Sequence, residues 1–532
     1  MTSSDVRVAI EGCGHGTLNA IYAAVERSCQ ERGWDGVDLL IIGGDFQAVR
    51  NAADLNVMSV PLKYRALGDF HEYYSGSRKA PYLTIFVGGN HEASAHLWEL
   101  YYGGWVTPNI YYMGAANVLR LGGLRIAGMS GIFKGFDYKK QHHERLPFNA
   151  DDIKSFYHTR EIDVRKLLQL RTQVDIGISH DWPRRIEKHG DQEQLFRMKP
   201  AFRSESRDGT LGNPAAEYVL NRLRPPYWFS AHMHCKFAAI KTFDPPTEGK
   251  ERAAQPTPQA TGEAEAEAGA DIAANPEEID LDIEEDIYDE GERGAEGGQE
   301  QEAPKEASTE ELRAQLPAAF AKPVRVTSTT TTTTPGQPVP AGITNLTTRF
   351  LALDKCLPGR DFLQLMEIPA TSTSTSTVSS SSSHTRPFRL QYDPEWLAIT
   401  RVFHPLLTIG DRDATTPPDL GEAHYLPLIE AEEKWVEEHI VSRGRLDVPT
   451  EFVMTAPPHQ PGIDPERLED GRVQPEEYTN PQTAAFCELI GVPNLWDATE
   501  EERAERKAVG PAPGGYRPPR GGRGLRTVWI GI

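Results

Sequence analysis

Five stretches of this 532-residue chain end in side chains of the kinds that bind metal ions. Cys13 and His15 stand two residues apart in GCGHG, and Asp45 follows the glycine pair of GGDFQ. Asn90 and His91 follow a second pair in GGNHE, His180 opens HDWP, and His232 and His234 stand two apart in AHMHC. Pooled, these give one thiol, one carboxylate, one carboxamide and several imidazoles. Imidazole suits zinc and iron(II), and carboxylate and carbonyl oxygens suit manganese. One histidine in a loop is ordinarily a hydrogen-bonded polar residue, because only convergence in space makes it a ligand. Five stretches of one design make a metal centre the stronger reading, provided the fold brings them together.

The elements that must do so are legible upstream of each stretch. Apolar, β-branched and aromatic runs at residues 6–10, 37–42, 82–87, 174–179 and 227–230 read as buried strands, and the glycines that follow the first three let the backbone turn sharply. In an open sheet the ligand crevice lies at the carboxyl ends of the strands, so the five polar tips are expected to meet. Residues 18–32 carry Leu18, Ile21, Tyr22, Val25 and Cys29 at helical spacing, which makes a right-handed β-α-β unit with the first two strands. Residues 96–105 read as a short helix closed by Gly103, and a helix is expected after His180 with Pro183 near its first turn. Residues 117–131 alternate about Gly122 and Gly123, a hairpin signal. Residues 426–440 read as an amphipathic helix.

The series GCGHG, GGDFQ, GGNHE, SHDWP and AHMHC resembles the calcineurin-like metallophosphoesterases, in particular the RNA lariat debranching enzymes. The wider superfamily has Asp where Cys13 stands and a GDxxDRG segment where this chain has GGDFQAVRN; the debranching branch has the Cys and the FQ. The resemblance covers residues 1 to 245 and returns in RFLALDKCLPGRDFLQLMEI (349–368) and LQYDPEWLAITR (390–401). It implies an α/β fold: a β-sandwich of mixed sheets flanked by helices, a smaller C-terminal domain and disordered linkers. The expected boundaries are a catalytic domain at 1–245, an acidic and Ser/Thr-rich linker at 246–345, a C-terminal domain at 346–490 interrupted by a Ser/Thr tract at 370–385, and a flexible RGG-like tail at 491–532.

The implied activity is metal-dependent hydrolysis of the 2′,5′-phosphodiester at the branch point of excised intron lariats. The implied ligand sets are Asp45, Asn90, His180 and His232 for one cation, and Cys13, His15, Asp45 and His234 for another, with Asp45 bridging and His91 left as general acid. As a thiolate, Cys13 favours zinc or iron(II), with manganese able to support activity; as a small buried residue beside Gly12 and Gly14, it leaves one tightly held metal. Two other readings stand beside this one: a phosphatase for phosphoprotein or nucleotide monoesters, and a scaffold that kept the fold and lost the chemistry.

Residues 132–160 are too polar and aromatic for a core element and too long for an ordinary connection. Lys134, Lys139, Lys140 and Arg145 are interleaved with Phe133, Phe136, Tyr138 and Phe148, a mixture suited to phosphate contact and base stacking. The resemblance places a lariat-recognition insertion here, ending in SFYHTRE. Its expected substrate contacts are Phe133, Lys134, Tyr138, Tyr157, His158 and Arg160.

The net charge of −21 looks hostile to RNA, but 22 acidic and 4 basic residues lie between 248 and 311, a net of −18 that leaves −3 elsewhere. The acidity therefore belongs to one linker and says little about the catalytic face. Five cysteines without a C-x-x-C pair indicate a reducing compartment, and no apolar run approaches the roughly 20 residues of a membrane span. A nuclear, soluble protein acting on branched RNA is the expectation, with splicing or intron-turnover proteins as partners of the C-terminal half and no membrane.

Overall fold

The computed structural model describes residues 5–244, 339–369 and 386–513. The acidic linker, the Ser/Thr tract and the RGG-like end of the tail lie outside these residues. Thirteen strands among the described residues form two mixed sheets. They are β1 (Val6–Glu11), β2 (Leu39–Ile42), β3 (Thr84–Phe86), β4 (Gly104–Thr107), β5 (Ile110–Tyr112), β6 (Ala116–Leu121), β7 (Leu124–Met129), β8 (Ile176–Ser179), β9 (Tyr227–Ser230), β10 (Phe237–Thr242), β11 (Thr347–Ala352), β12 (Leu363–Ile368) and β13 (Gln391–Tyr392). The first sheet runs β12-β1-β2-β3-β5-β4 and the second β10-β11-β9-β8-β7-β6-β13.

Period-two alternation explains the layers. Val8, Ile10, Leu39, Ile41 and Ile85 point from the first sheet into a core shared with Val118, Ile126, Ile178 and Trp228 of the second. Their neighbours Ala9, Leu40, Ile42 and Phe86 point the other way, onto Leu18, Ile21, Tyr22 and Val25 of the helix Leu18–Arg32. Each fully buried aliphatic side chain contributes about 1.5–3 kcal/mol. The helix joins β1 to its parallel partner β2, as its spacing predicts. The hairpin of β6 and β7 turns on Gly122 and Gly123, at φ 56° and 89°, two consecutive positive values that a type I′ turn demands.

Several elements differ from expectation. The helix expected at 96–105 is confined to Ser94–Trp98, because Gly103 at φ 91° turns the chain and Trp105 enters β4. After His180 only a 3₁₀ turn forms, Ile186–His189, since Arg185 adopts a left-handed conformation. The helix expected at 426–440 begins earlier, at Glu422, and runs on through Val441. Residues 491–513, expected to be flexible, hold a helix Glu500–Val509 with a Thr499 capping box, and Trp496 stacks on Tyr101 at 4.1 Å. No helix among the described residues is long and apolar enough to cross a membrane.

The C-terminal segment is woven into both sheets. β11 lies between β9 and β10, β12 pairs antiparallel with β1, and β13 covers the free edge of β6. Removing β11 and β12 leaves open edges on the strands that carry the tips. Residues 1–244 expressed alone are expected to show no cooperative thermal transition by calorimetry, in contrast to the full chain.

Candidate metal centre

The parallel strands β1, β2, β3, β8 and β9 all deliver their carboxyl ends to one place. Gly14 N donates to Gly44 O (3.1 Å) and His15 N to Asp45 O (2.6 Å), tying the first tip to the second. Within the second sheet, Ala231 N donates to His180 O at 2.9 Å, which ties the fourth tip to the fifth. Sγ of Cys13 and donor atoms of His15, Asp45 and His234 lie within 4.8 Å of one another. His15 Nε2 is 3.1 Å from His234 Nε2. Two nitrogens each about 2.0–2.1 Å from one cation, at tetrahedral to octahedral angles, stand about 2.9–3.4 Å apart, so this pair fits a shared metal. A second set of donors faces the other carboxylate oxygen: His180 Nε2 is 3.6 Å from Asp45 Oδ1 and 3.2 Å from Asn90 Oδ1. The rings of His180 and His232 are 4.9 Å apart. His180 Nδ1 is 2.9 Å from the carbonyl of Gly43, a contact that puts the proton on Nδ1 and leaves Nε2 as a lone-pair donor.

Asp45 is fully buried, and its Oδ2 makes no hydrogen bond while facing His15 Nε2 and His91 Nδ1, each at 3.7 Å. A buried carboxylate oxygen without a donor calls for a cation. Burial opposes ionisation, but the imidazoles of His180, His91 and His15 and the His91 N–H hold this carboxyl well below the usual range. Cys13 Sγ accepts from His232 N at 3.1 Å and is fully buried. His15, Asp45, His232 and His234 all have positive φ, between 40° and 62°, which costs on the order of 1–3 kcal/mol each in a residue with a side chain. Strain of that kind, gathered on four candidate ligands, marks a functional site.

Three residues outside the expected set stand beside it, and two of them hold its parts in place. Glu92 accepts from Phe46 N (2.8 Å), Gln47 N (2.8 Å) and Gly89 N (2.9 Å), so one carboxylate fastens the Asp45 tip to the Asn90 tip. Burial and the nearby Asp45 push the Glu92 carboxyl up to about 7 against those three donors. Glu11, buried in β1 with neither oxygen hydrogen-bonded, is raised well above the carboxylate range by burial and by Asp45. Gln47 Nε2 is 3.5 Å from His15 Nδ1 and steadies that ring. The clue in the sequence was the acidic residue directly after Asn90 and His91; its partners are backbone amides, which no side-chain motif reveals.

The insertion is bolted down rather than solvated. Trp98 Nε1 donates to Glu144 O, Gln141 N to Ala414 O, Thr416 N to Lys139 O and Phe148 N to Gln474 Oε1. Phe133 and Tyr138 are half-buried with rings 5.1 Å apart, Lys134 is half-buried at the start of a short turn, and Tyr157 shares a hydroxyl hydrogen bond with Ser59 at 3.1 Å. His158 and Arg160 face inward, contrary to a role in direct contact. His158 Nδ1 is 2.7 Å from Asp137 Oδ2, and Arg160, 1 % exposed, gives its terminal nitrogens to Asp137 O, Glu144 and Ser155 O. A guanidinium that deep has partners it cannot leave without stranding Glu144. The aromatic side chain that the insertion does expose is Phe136, at 56 %.

The tip glycines are required by close approach. A Cβ on Gly89 would lie 2.1 Å from Asp45 Oδ1, and one on Gly44 would lie 2.1 Å from His180 Nδ1. Gly89→Ala is therefore expected to lose most of its bound metal, measured by elemental analysis of the purified chain, while melting within a few degrees of the parent.

Residues 6–236 match the calcineurin-like phosphoesterase family, and residues 345–495 match the lariat debranching enzyme C-terminal domain. The Schizosaccharomyces pombe lariat debranching enzyme is 41 % identical over 487 residues, 92 % of this chain and 96 % of that protein. The human enzyme of the same name is 37 % identical over 506 residues (95 % and 72 %), and that of Arabidopsis thaliana is 36 % identical over 494 residues (93 % and 88 %). Calcineurin-like phosphoesterases work with divalent metal, and the Cys13, His15, Asp45 and His234 cluster is of the matching kind. The chain belongs to the lariat debranching enzyme family.

Proposed function

We propose that this chain hydrolyses the 2′,5′-phosphodiester at the branch point of excised intron lariat RNA, linearising it for turnover in the nucleus. The observation that carries the reading is the convergence of both donor sets on Asp45 in a chain with the debranching-type tips GCGHG and GGDFQ. Asp45, Asn90, His180 and His232 would hold one divalent cation and Cys13, His15, Asp45 and His234 the other. Iron(II) or zinc suits the site if Cys13 binds as thiolate, and manganese is able to support activity. Bound divalent cations supply an activated water and relief of charge on the phosphoryl oxygens.

The chain's own residues do the rest. Asp45 offers one oxygen to each donor set and fixes their separation. His91, 7 % exposed with Nδ1 turned to Asp45, gives the proton to the leaving alkoxide. Phe133, Lys134, Tyr138 and Tyr157, all half-buried on the insertion, are the contacts to the RNA, while the buried His158 and Arg160 hold its closing turn in shape. Splicing or intron-turnover proteins are the partners proposed for the C-terminal half. A monoesterase reading is disfavoured by GGDFQAVRN in place of a GDxxDRG segment.

The discriminating experiment is cleavage by metal-loaded protein of a branched RNA set against its 3′,5′-linked linear counterpart and a small aryl phosphate. Cleavage of the branch alone is expected; rapid release of phosphate from the aryl ester with the branch intact would favour the monoesterase. Asp45→Ala and His180→Ala are each expected to abolish cleavage and lower bound metal. His91→Ala should lower turnover by roughly 10²-fold or more and keep its metal. Metal loss in His91→Ala equal to that in Asp45→Ala would remove it from the proton-donor role. Cys13→Asp should shift metal preference from iron or zinc toward manganese and abolish sensitivity to mild peroxide, and Cys13→Ser should be poorly active. Full activity and unchanged metal dependence in Cys13→Ser would instead support a single cation held by Asp45, Asn90, His180 and His232.

A further inference from the structure

The link between β11 and β12 crosses from one sheet to the other at the edge where the tips meet. β11 is parallel to β9, so it ends beside the His232 tip, and β12 starts at Leu363 opposite Glu11, at the carboxyl end of β1. The residues between, 353–362, therefore close over the metal-bearing edge. Leu353 N donates to Ser230 O at 3.2 Å, Cys356 N to Cys13 O at 3.2 Å and Gly12 N to Phe362 O at 3.1 Å, and Lys355 bridges in parallel with Cys13. The fit is close: a Cβ on Gly12 would lie 2.1 Å from Asp354 O.

Where it meets solvent this link carries both charges, and Asp361, 72 % exposed, is the acidic one. Arg360, with 37 % of its side chain exposed, stands on it. Lys236, 43 % exposed, stands opposite, two residues after His234 and so within about 7 Å of that residue along the chain. Each cation has a carboxylate neighbour at 3.4 Å, Asp354 for Arg360 and Asp361 for Lys236. The Lys236–Asp361 pair is exposed and worth about 0–1 kcal/mol, so a phosphate can take Lys236 at little cost, while Arg360, whose partner Asp354 is buried, keeps that contact and offers its exposed part. Leu357 adds an exposed apolar contact, 40 % accessible, on the same link. The insertion adjoins the other side of the centre, where Gly131 N donates to Gly88 O at 2.8 Å. A branch nucleotide carries three phosphodiester arms, which leave it in different directions.

From these features we infer that Lys236 and Arg360 form a second RNA-binding wall, which holds the phosphate backbone of an arm leaving the branch on the Cys13 and His234 side. The inference rests on the debranching function proposed above. It is tested with the full chain carrying Lys236→Glu and Arg360→Glu together, on a branched RNA whose three arms each extend several nucleotides. KM is expected to rise roughly tenfold or more at physiological salt, with a change in kcat of less than about threefold. Each lost phosphate contact should flatten the slope of log KM against log salt by about 0.7, or about 1.4 for both. The exchange of Lys236→Arg with Arg360→Lys should restore KM. Wild-type KM and salt slope in the double variant, with wild-type protein cleaving the branch, would overturn the wall and leave the function standing. Failure of metal-loaded wild type to cleave the branch would overturn the function itself. Loss of bound metal in the double variant with unchanged KM would also overturn the wall, and would make the link a support for Cys13 instead.

Discussion

Asp45 sits where five strand ends meet, fully buried, in a left-handed conformation and with one carboxylate oxygen lacking any hydrogen bond. Three imidazoles face it at 3.6 to 3.7 Å. Unpaired, such a carboxylate is costly, and the surrounding structure is arranged so that cations can share it between two donor sets. The backbone around it is fastened by Glu92, whose carboxylate gathers three amides from two tips. The tip glycines follow from the same constraint, since any side chain there would occupy the place of a ligand.

The hold on that loop extends into the C-terminal half. Arg50, five residues beyond Asp45, is wholly buried and pairs with Asp54 through two hydrogen bonds and with Glu99 at 2.6 Å. The same guanidinium reaches Thr455, Glu99 accepts from Asn480, and His459 N donates to Arg50 O. Removing one partner of a buried ion pair typically costs 3–5 kcal/mol. The C-terminal segment thus enters the catalytic unit three times: as strands in both sheets, as the clamp behind the Asp45 loop and as the link over the Cys13 tip. Recurrence of the family resemblance in a stretch as remote as 349–368 has this physical basis.

Much of this was legible from residue order. Strand runs that stop abruptly, three of them on Gly-Gly or Gly-x-Gly, placed the polar tips, because a buried strand has one place to put a polar residue, its end. The β-α-β unit and the hairpin at Gly122 and Gly123 followed from periodicity alone. What composition could not show was direction. Arg160 and His158 belong to a basic, aromatic stretch suited to RNA, yet both turn inward, since their partners Asp137 and Glu144 are dispersed among residues that look like surface. The helix Glu500–Val509 was missed because its polar sequence has no buried face and its order comes from caps and from Arg503 and Arg506 near Glu477. The insertion of β11 between β9 and β10 is a pairing about a hundred residues distant in sequence, beyond the reach of local pattern.

The claim on which the rest depends is that the tips form one metal centre about Asp45. Anomalous diffraction at the iron, zinc and manganese edges from crystals of metal-loaded protein measures it directly. The account predicts a peak about 2.0–2.3 Å from a carboxylate oxygen of Asp45 and from the imidazoles of His15 and His234. A metal found only elsewhere in the molecule, with Asp45 more than about 4 Å from any peak, would contradict it.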